Sequence, residues 1–247
     1  MDQTRRIRMK NPKDLVGSDD YKYAPLIALL VMASWFIHLV YMLRAELNWS
    51  SAIFHILLQT FLSTGLFITA HDAMHGLVAK NSPRWNRWIG SVAIFMYGGF
   101  SYDRLLLAHH QHHAHPVSQD DPDFTSDTDE KFWTWLMEFG RRYYGWREFL
   151  WMHLHVALVW LIGGAIWKIF AFFAIPAWLS ALQLFYFGTY LPHRTKGTPP
   201  HDNPHCARSN LYPAWLSFLT CYHFGYHYEH HEYPFAPWWT LPRFIKR

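Results

Sequence analysis

Apolar runs long enough to cross a bilayer alternate with short polar stretches along this chain. Ala24 to Leu43 is broken only by Ser34 and His38, and a spanning helix needs roughly 20 such residues. Arg44 and Glu46 end it, and Leu47–Ser51 forms a short loop. Ala52 to Ala70 is a second run, about 28 Å long at roughly 1.5 Å per residue. The two make a helical hairpin with His71 at its exit. Trp88 to Leu107 contains Gly90, Gly98, Gly99 and Asp103 and is predicted to lie on the surface or re-enter. A full crossing there would put the histidines that follow it on the opposite side from His71. Asp120 to Glu130 reads as an acidic, soluble loop, and Lys131 to Arg147 as an interfacial helix. Phe149 to Leu191 holds two spans, with Gly163, Gly164 and Pro176 as candidate bends and the turn expected near Lys168–Pro176. Arg194 to Asn210 is polar, with Pro199-Pro200 marking a loop. Leu211 to Gly225 is moderately apolar, and Pro234, Pro237 and Pro242 leave little regular structure at the end. The expected fold is an all-α integral membrane protein of about four transmembrane helices in two hairpins. Residues 1–22 form a tail, and residues 23–247 a single domain.

Composition supports this picture. Charged residues make up 16% of the chain, against roughly a quarter in soluble domains. Aromatics reach 19%, and Trp and Tyr favour the membrane–water interface. The mean hydropathy of -0.09 looks too polar for a membrane protein, but 18 His and the many Trp and Tyr pull it down. The net charge is +4, with Arg5, Arg6, Arg8 and Lys10 at the start. Under the positive-inside rule this end is cytoplasmic, and an even span count returns the other end there. No basic face marks a nucleic-acid partner. Cys206 and Cys221 show no metal spacing and no disulfide framework. No cleavable signal peptide is expected at the start.

The chemistry lies in three histidine clusters, each beside an apolar run: His71-Asp-Ala-Met-His75, His109-His-Gln-His112-His113 and His227-Tyr-Glu-His230-His231. Residues i, i+3 and i+4 share one helix face. Each cluster is therefore a two- or three-pronged imidazole face, and three converging faces make a nitrogen-rich cage for two metal ions. Imidazole suits Fe, Zn, Cu and Ni. A zinc hydrolase needs about three ligands and a glutamate base; Asp72 follows His71 here, and the extra histidines do not fit. His110 lies off the shared face. His115 and His223 stay open, although His223 lies four residues before His227. His205 reads as a loop residue, and His38, His55, His153 and His155 as packed or interfacial. Asp72 and Glu229 are candidates to orient imidazole N–H groups.

At these residues the chain resembles the membrane fatty-acid desaturase/hydroxylase superfamily. Longer stretches sharpen the resemblance: residues 67–76 (FITAHDAMHG), 183–194 (QLFYFGTYLPHR), 203–209 (NPHCARS) and 221–234 (CYHFGYHYEHHEYP) are similar to bacterial and cyanobacterial β-carotene 4-ketolases. The resemblance runs from about Tyr23 to the end. It implies two non-haem iron ions in a cytosolic cap, with O2 as co-substrate. The implied ligands are His71, His75, His109, His112, His113, His227, His230 and His231. An additional histidine between the second and third clusters often completes such a set, and His193 fits that place. The resemblance further implies a carotenoid substrate in the bilayer, an electron-donor protein of ferredoxin-like kind, and an inner or thylakoid membrane. Stepwise oxidation at C4 of the ring, through a 4-hydroxy compound and a geminal diol, would give the ketone. Tyr222, Phe224, Tyr226 and Tyr228 are candidate walls for a polyene. The chain departs from the pattern at Ala108, where a basic residue commonly precedes the second cluster.

Other readings make distinguishable demands. Carotenoid 3-hydroxylation or acyl desaturation would use the same metal. A histidine-rich metal transporter would carry polar groups across its spans. A haem-binding bundle would need paired histidines inside facing spans.

Overall fold

The computed structural model describes residues 11–46, 48–125, 130–162 and 165–245. Arg5, Arg6, Arg8 and Lys10 of the expected tail lie outside them, as do Leu47, Gly163 and Gly164. Every regular element among the described residues is helical. Three helices are long and apolar enough to cross a membrane. They are α1 (Ser18–Arg44), α2 (Trp49–Met74) and the helix Ile166–His193.

Helix α1 starts six residues before the apolar run, because its first turn has its own polar support. The Asp20 carboxylate accepts the Gly17 N–H at 2.9 Å, and Asp19 and Asp20 lie at the positive end of the helix dipole. Residues 18–22 are thus the first turn of a helix. Asn48 caps α2 by accepting the Ser51 N–H at 2.9 Å. Helix α2 is central and packs against α1, the following helix and the long helix near the C-terminus. Leu26, Leu30, Ile37, Ile53 and Phe54 are exposed on the outer faces of α1 and α2, as lipid-facing positions require. Polar side chains within the spans turn inward and pair. Trp35 Nε1 donates to Ser63 Oγ at 2.9 Å, and Thr64 donates to Gln183 Oε1 at 2.6 Å.

The stretch 88–107 is two helices, α3 (Pro83–Gly98) and α4 (Tyr102–Ala114). Gly99 separates them at φ 74°, a left-handed conformation that glycine adopts without strain. At roughly 1.5 Å per residue α3 is about 24 Å long, and neither helix is among those that qualify to cross. Helix α5 (Phe132–Tyr143) exposes Trp133 and Met137 and buries Trp135. It stops short of Arg147, and α6 (Trp146–Leu161) follows.

The turn of the second apolar pair lies before Ile166, not at Lys168–Pro176. Lys168 does not break its helix: its Nζ reaches the Leu43 and Ala45 carbonyls at the end of α1, at 3.2 and 2.7 Å. Pro176 follows directly on a π turn, a local break in the hydrogen-bond ladder that accommodates a residue without an N–H inside a helix. Ile166–His193 is therefore one helix, α7, with π turns at Phe170–Ala174 and Tyr186–Tyr190. Helix α6 is shorter than the qualifying length, so three spans qualify among the described residues where four were expected.

Two short helices, α8 (Ala214–Cys221) and α9 (His227–Glu232), precede a 3-10 turn at Trp238–Arg243, some regular structure where the prolines predicted little. The ends of the described chain meet. Arg243 donates to both Asp20 oxygens at 2.6 and 3.0 Å, and Tyr21 donates to the Phe235 carbonyl at 2.8 Å. These contacts gather the start of α1, the exit of α2 and the terminal segment at one end of the bundle.

Candidate metal centre

At that end the structure brings all nine singled-out histidines together, and it sorts eight of them into two groups. His71, His75, His109 and His230 form the first; His112, His193, His227 and His231 form the second. Within each group one ligand atom per ring lies within 4.8 Å of the others. The second and third clusters are divided between the groups. On α4, His109 serves the first group and His112 the second. On α9, His230 serves the first and His227 and His231 the second. Positions three apart differ by about 60° around a helix, so one helix wedged between two centres can supply both. His113 lies between the groups, with its Nε2 3.0 Å from that of His230 and its ring stacked on His231 at 4.1 Å.

The donor atoms fit metal ions. His109 and His75 approach through Nε2 at 2.7 Å, His112 and His231 at 3.2 Å, and His231 and His227 at 3.1 Å. Two nitrogens on one tetrahedral ion stand roughly 3.4 Å apart for bonds of about 2.1 Å. Nδ1 of His193 donates to the Cys206 carbonyl at 2.8 Å, which leaves the lone pair on Nε2. That Nε2 and the Nε2 of His71 are buried without a hydrogen-bond partner. A cation is the partner that such buried lone pairs lack. Burial also pushes His75, His109, His227, His230 and His231 well below the ordinary imidazole range. Burial and the neighbouring His112 take His113 down to about 2. These rings are neutral at neutral pH, the form that binds metal.

His112 differs. Burial lowers it, but the hydrogen bond to Asp121 and the charges on Asp123 and Asp121 outweigh burial and raise it. Asp121 accepts His112 Nδ1–H at 2.9 and 3.1 Å. It also accepts the N–H groups of Val117 and Asp123 at 2.9 and 2.8 Å, so it is fully engaged. Arg142 donates to the Pro122 carbonyl at 2.9 Å and Trp135 to the Asp123 carbonyl at 2.8 Å. Together they hold this loop in place. Asp121 is the carboxylate that sequence reasoning missed. An acidic loop reads as a solvated one, and only its position eight residues after His113 pointed elsewhere.

The expected carboxylates behave otherwise. Asp72 lies 3.7 Å from His71 Nδ1, beyond hydrogen-bond reach, and instead accepts the Trp238 N–H at 3.1 Å. Glu229 accepts the Ser209 hydroxyl and touches no imidazole of either group. His110 contacts the Met74 carbonyl at 3.3 Å, and His115 is exposed at the end of α4. His205 pairs with Glu232 at 2.7 Å. His223 stacks on Tyr226 at 5.5 Å and belongs to neither group. His38 and His55 contact each other at 3.0 Å, far along the spans from the centre.

A cleft opens onto both groups, lined by His71 and His109 from one and His112 and His227 from the other. Its remaining walls are mostly apolar, including Phe67, Phe100, Leu105, Leu184, Phe185 and Phe224. Phe224 packs against His71 and His227 with ring centroids at 4.9 and 5.2 Å. It fits because Gly188, in the second π turn, has no side chain. A Cβ there would stand 2.0 Å from the Phe224 ring.

Comparison with known proteins agrees with this architecture. The family model for fatty acid desaturases matches residues 47–161 and 130–246. A β-carotene ketolase of Paracoccus sp. (strain N81106 / MBIC 01143) is 42% identical over 219 residues, covering 86% of this chain and 88% of that protein. A β-carotene ketolase of Haematococcus lacustris is 34% identical, over 87% of this chain and 77% of that one. A zeaxanthin 4-ketolase of Chlamydomonas reinhardtii is 36% identical, over 87% of this chain and 49% of that one. The chain belongs to the fatty acid desaturase family.

Proposed function

We propose that this protein is a carotenoid ketolase that oxidises C4 of a β-ionone ring, with β-carotene as substrate and echinenone and canthaxanthin as products. The observation that carries the reading is the apolar cleft whose wall contains ligand rings of both histidine groups. An apolar ring can lie there with one carbon against the centre. Two iron ions held by the eight grouped histidines, with His113 between them, would supply O2 activation. The chain's own residues do the rest. Asp121 and the Cys206 carbonyl fix the tautomers of His112 and His193, so that each presents Nε2. Phe67, Phe100, Phe185 and Phe224 offer flat surface to the ring and polyene and exclude water from the reacting carbon. One round gives the 4-hydroxy ring. A second gives a geminal diol, which loses water to the ketone. Each round consumes one O2, two electrons and two protons and releases one water, the electrons coming from a ferredoxin-like donor protein.

The proposed placement rests on the basic start of the chain and an even number of spans. Helix α6 serves as a fourth span beside α1, α2 and α7, and the histidines and both termini face the cytoplasm. Residues 1–22 form the basic tail, its last turn continuous with α1, and residues 23–247 a single domain in an inner or thylakoid membrane. The test is carotenoid analysis by chromatography and mass in a β-carotene-accumulating bacterium expressing this chain. Products heavier by one oxygen less two hydrogens per ring, absorbing as conjugated ketones, are expected. A hydroxylated product without ketone would make it a 3-hydroxylase instead. Unchanged β-carotene with iron-loaded protein would overturn β-carotene as the substrate.

A further inference from the structure

Away from the histidines the cleft is mostly apolar, but one corner carries a carboxylate and a phenol. Asp123 and Tyr143 both line it, and the Tyr143 hydroxyl donates to Asp123 Oδ1. The two acids of the loop differ in what they have left to offer. The Asp121 side chain is 1% exposed and saturated by the His112 ring and two backbone N–H groups. The Asp123 side chain is 16% exposed, and among the described residues its carboxylate accepts only the Tyr143 hydroxyl. One carboxylate oxygen and the phenol lone pair therefore remain available in an apolar cleft. Polar groups placed so are costly unless a partner completes them. Their backbone is not free to turn away, because Trp135 holds the Asp123 carbonyl and Asp121 its N–H.

The position of the pair says what that partner is. Asp123 Oδ2 lies 3.9 Å from His112 Nδ1, the nitrogen across the ring from the Nε2 that faces the second histidine group. A ring carbon at the centre has its neighbouring carbon one bond away, and a hydroxyl there extends further still. We infer that Asp123 and Tyr143 form a hydroxyl-recognition corner, which selects β-ionone rings already bearing a hydroxyl on C3, next to the carbon oxidised. The substrate hydroxyl donates to the open Asp123 oxygen and accepts from the phenol when the latter turns. This inference rests on the ketolase reading and adds a specificity-determining pair to it. A reaction that hydroxylates C3 would then supply the preferred substrate.

A site built to hydrogen-bond a substrate hydroxyl disfavours the analogue that lacks it, because its own polar groups stay unpaired. The measurement is kcat/KM for β-carotene and for its 3,3′-dihydroxy derivative, in wild type and in Tyr143→Phe. The ratio favouring the hydroxylated ring is expected to fall by about tenfold, the equivalent of one good hydrogen bond. Asp123→Asn, which keeps an acceptor oxygen, should retain more of that ratio than Asp123→Leu. A purely structural role in holding His112 would slow both substrates alike and leave the ratio unchanged, and that result would overturn the assignment. So would a wild type that ketolates β-carotene but not the hydroxylated ring. Wild type that makes no ketone from either substrate would instead defeat the ketolase reading on which the inference stands.

Discussion

The two histidine groups have the same donors and different surroundings. In the second group all four rings are buried, and two are anchored from behind, His112 by Asp121 and His193 by the Cys206 carbonyl. In the first, His75 and His109 are only partly buried, and the nearest carboxylate, Asp72, stands 3.7 Å from His71. One centre is thus held rigidly by its outer contacts, and the other chiefly by the packing of α2 against α4 and α9. The difference teaches that the ligand list alone does not set how firmly a metal is held. Orientation of the rings is fixed by what lies behind them.

Removing one ligand from each group gives the largest effect. His112→Ala and His230→Ala are both expected to abolish ketone while the protein still inserts into membranes, and iron analysis should show each losing metal. Ketone formation retained in either variant would sink that residue's ligand assignment. Removing the outer contacts sharpens the comparison. Asp121→Asn is expected to weaken metal binding about 10–100-fold, whereas Asp72→Asn should cost less than about threefold, since no hydrogen bond to His71 is lost. Chelator competition measures both, and equal losses would erase the distinction between the groups. The smallest effect concerns the wall that the groups share. Gly188→Ala drives a methyl into Phe224 and is expected to cost about 1–3 kcal/mol of stability, the usual range for overpacking. Pairing it with Phe224→Leu should recover part of that loss in thermal unfolding, and simple additivity of the two changes would disprove the contact.

What the sequence made legible was whatever repeats with helical period. The i, i+3 and i+4 spacings exposed the three clusters, and the long apolar runs exposed α1 and α2. His193 has no such neighbour, and only its resemblance to family members singled it out. Lys168 and Pro176 misplaced a turn, because a lone cation and a proline read as breaks. In the fold the cation caps another helix and the proline follows a π turn inside a continuous one. Asp121 and Asp123 were hidden for a different reason. Their role depends on α5 closing over an irregular loop through Trp135 and Tyr143, a long-range contact that no local pattern encodes. The division of one cluster between two centres was hidden as well, since it depends on where α4 and α9 lie relative to α2.

The π turn at Tyr186–Tyr190 carries one residue more than a regular helix would hold, three residues before His193. Deleting any one residue of that turn would restore regular α-helical hydrogen bonding and leave every histidine in the chain. The residues downstream would stay close to their present places, because a π turn absorbs one extra residue without turning the helix beyond it. In this family, a one-residue gap at that turn therefore need not move the imidazole of His193, whereas the same gap in a regular stretch of the helix would turn everything beyond it by about 100°.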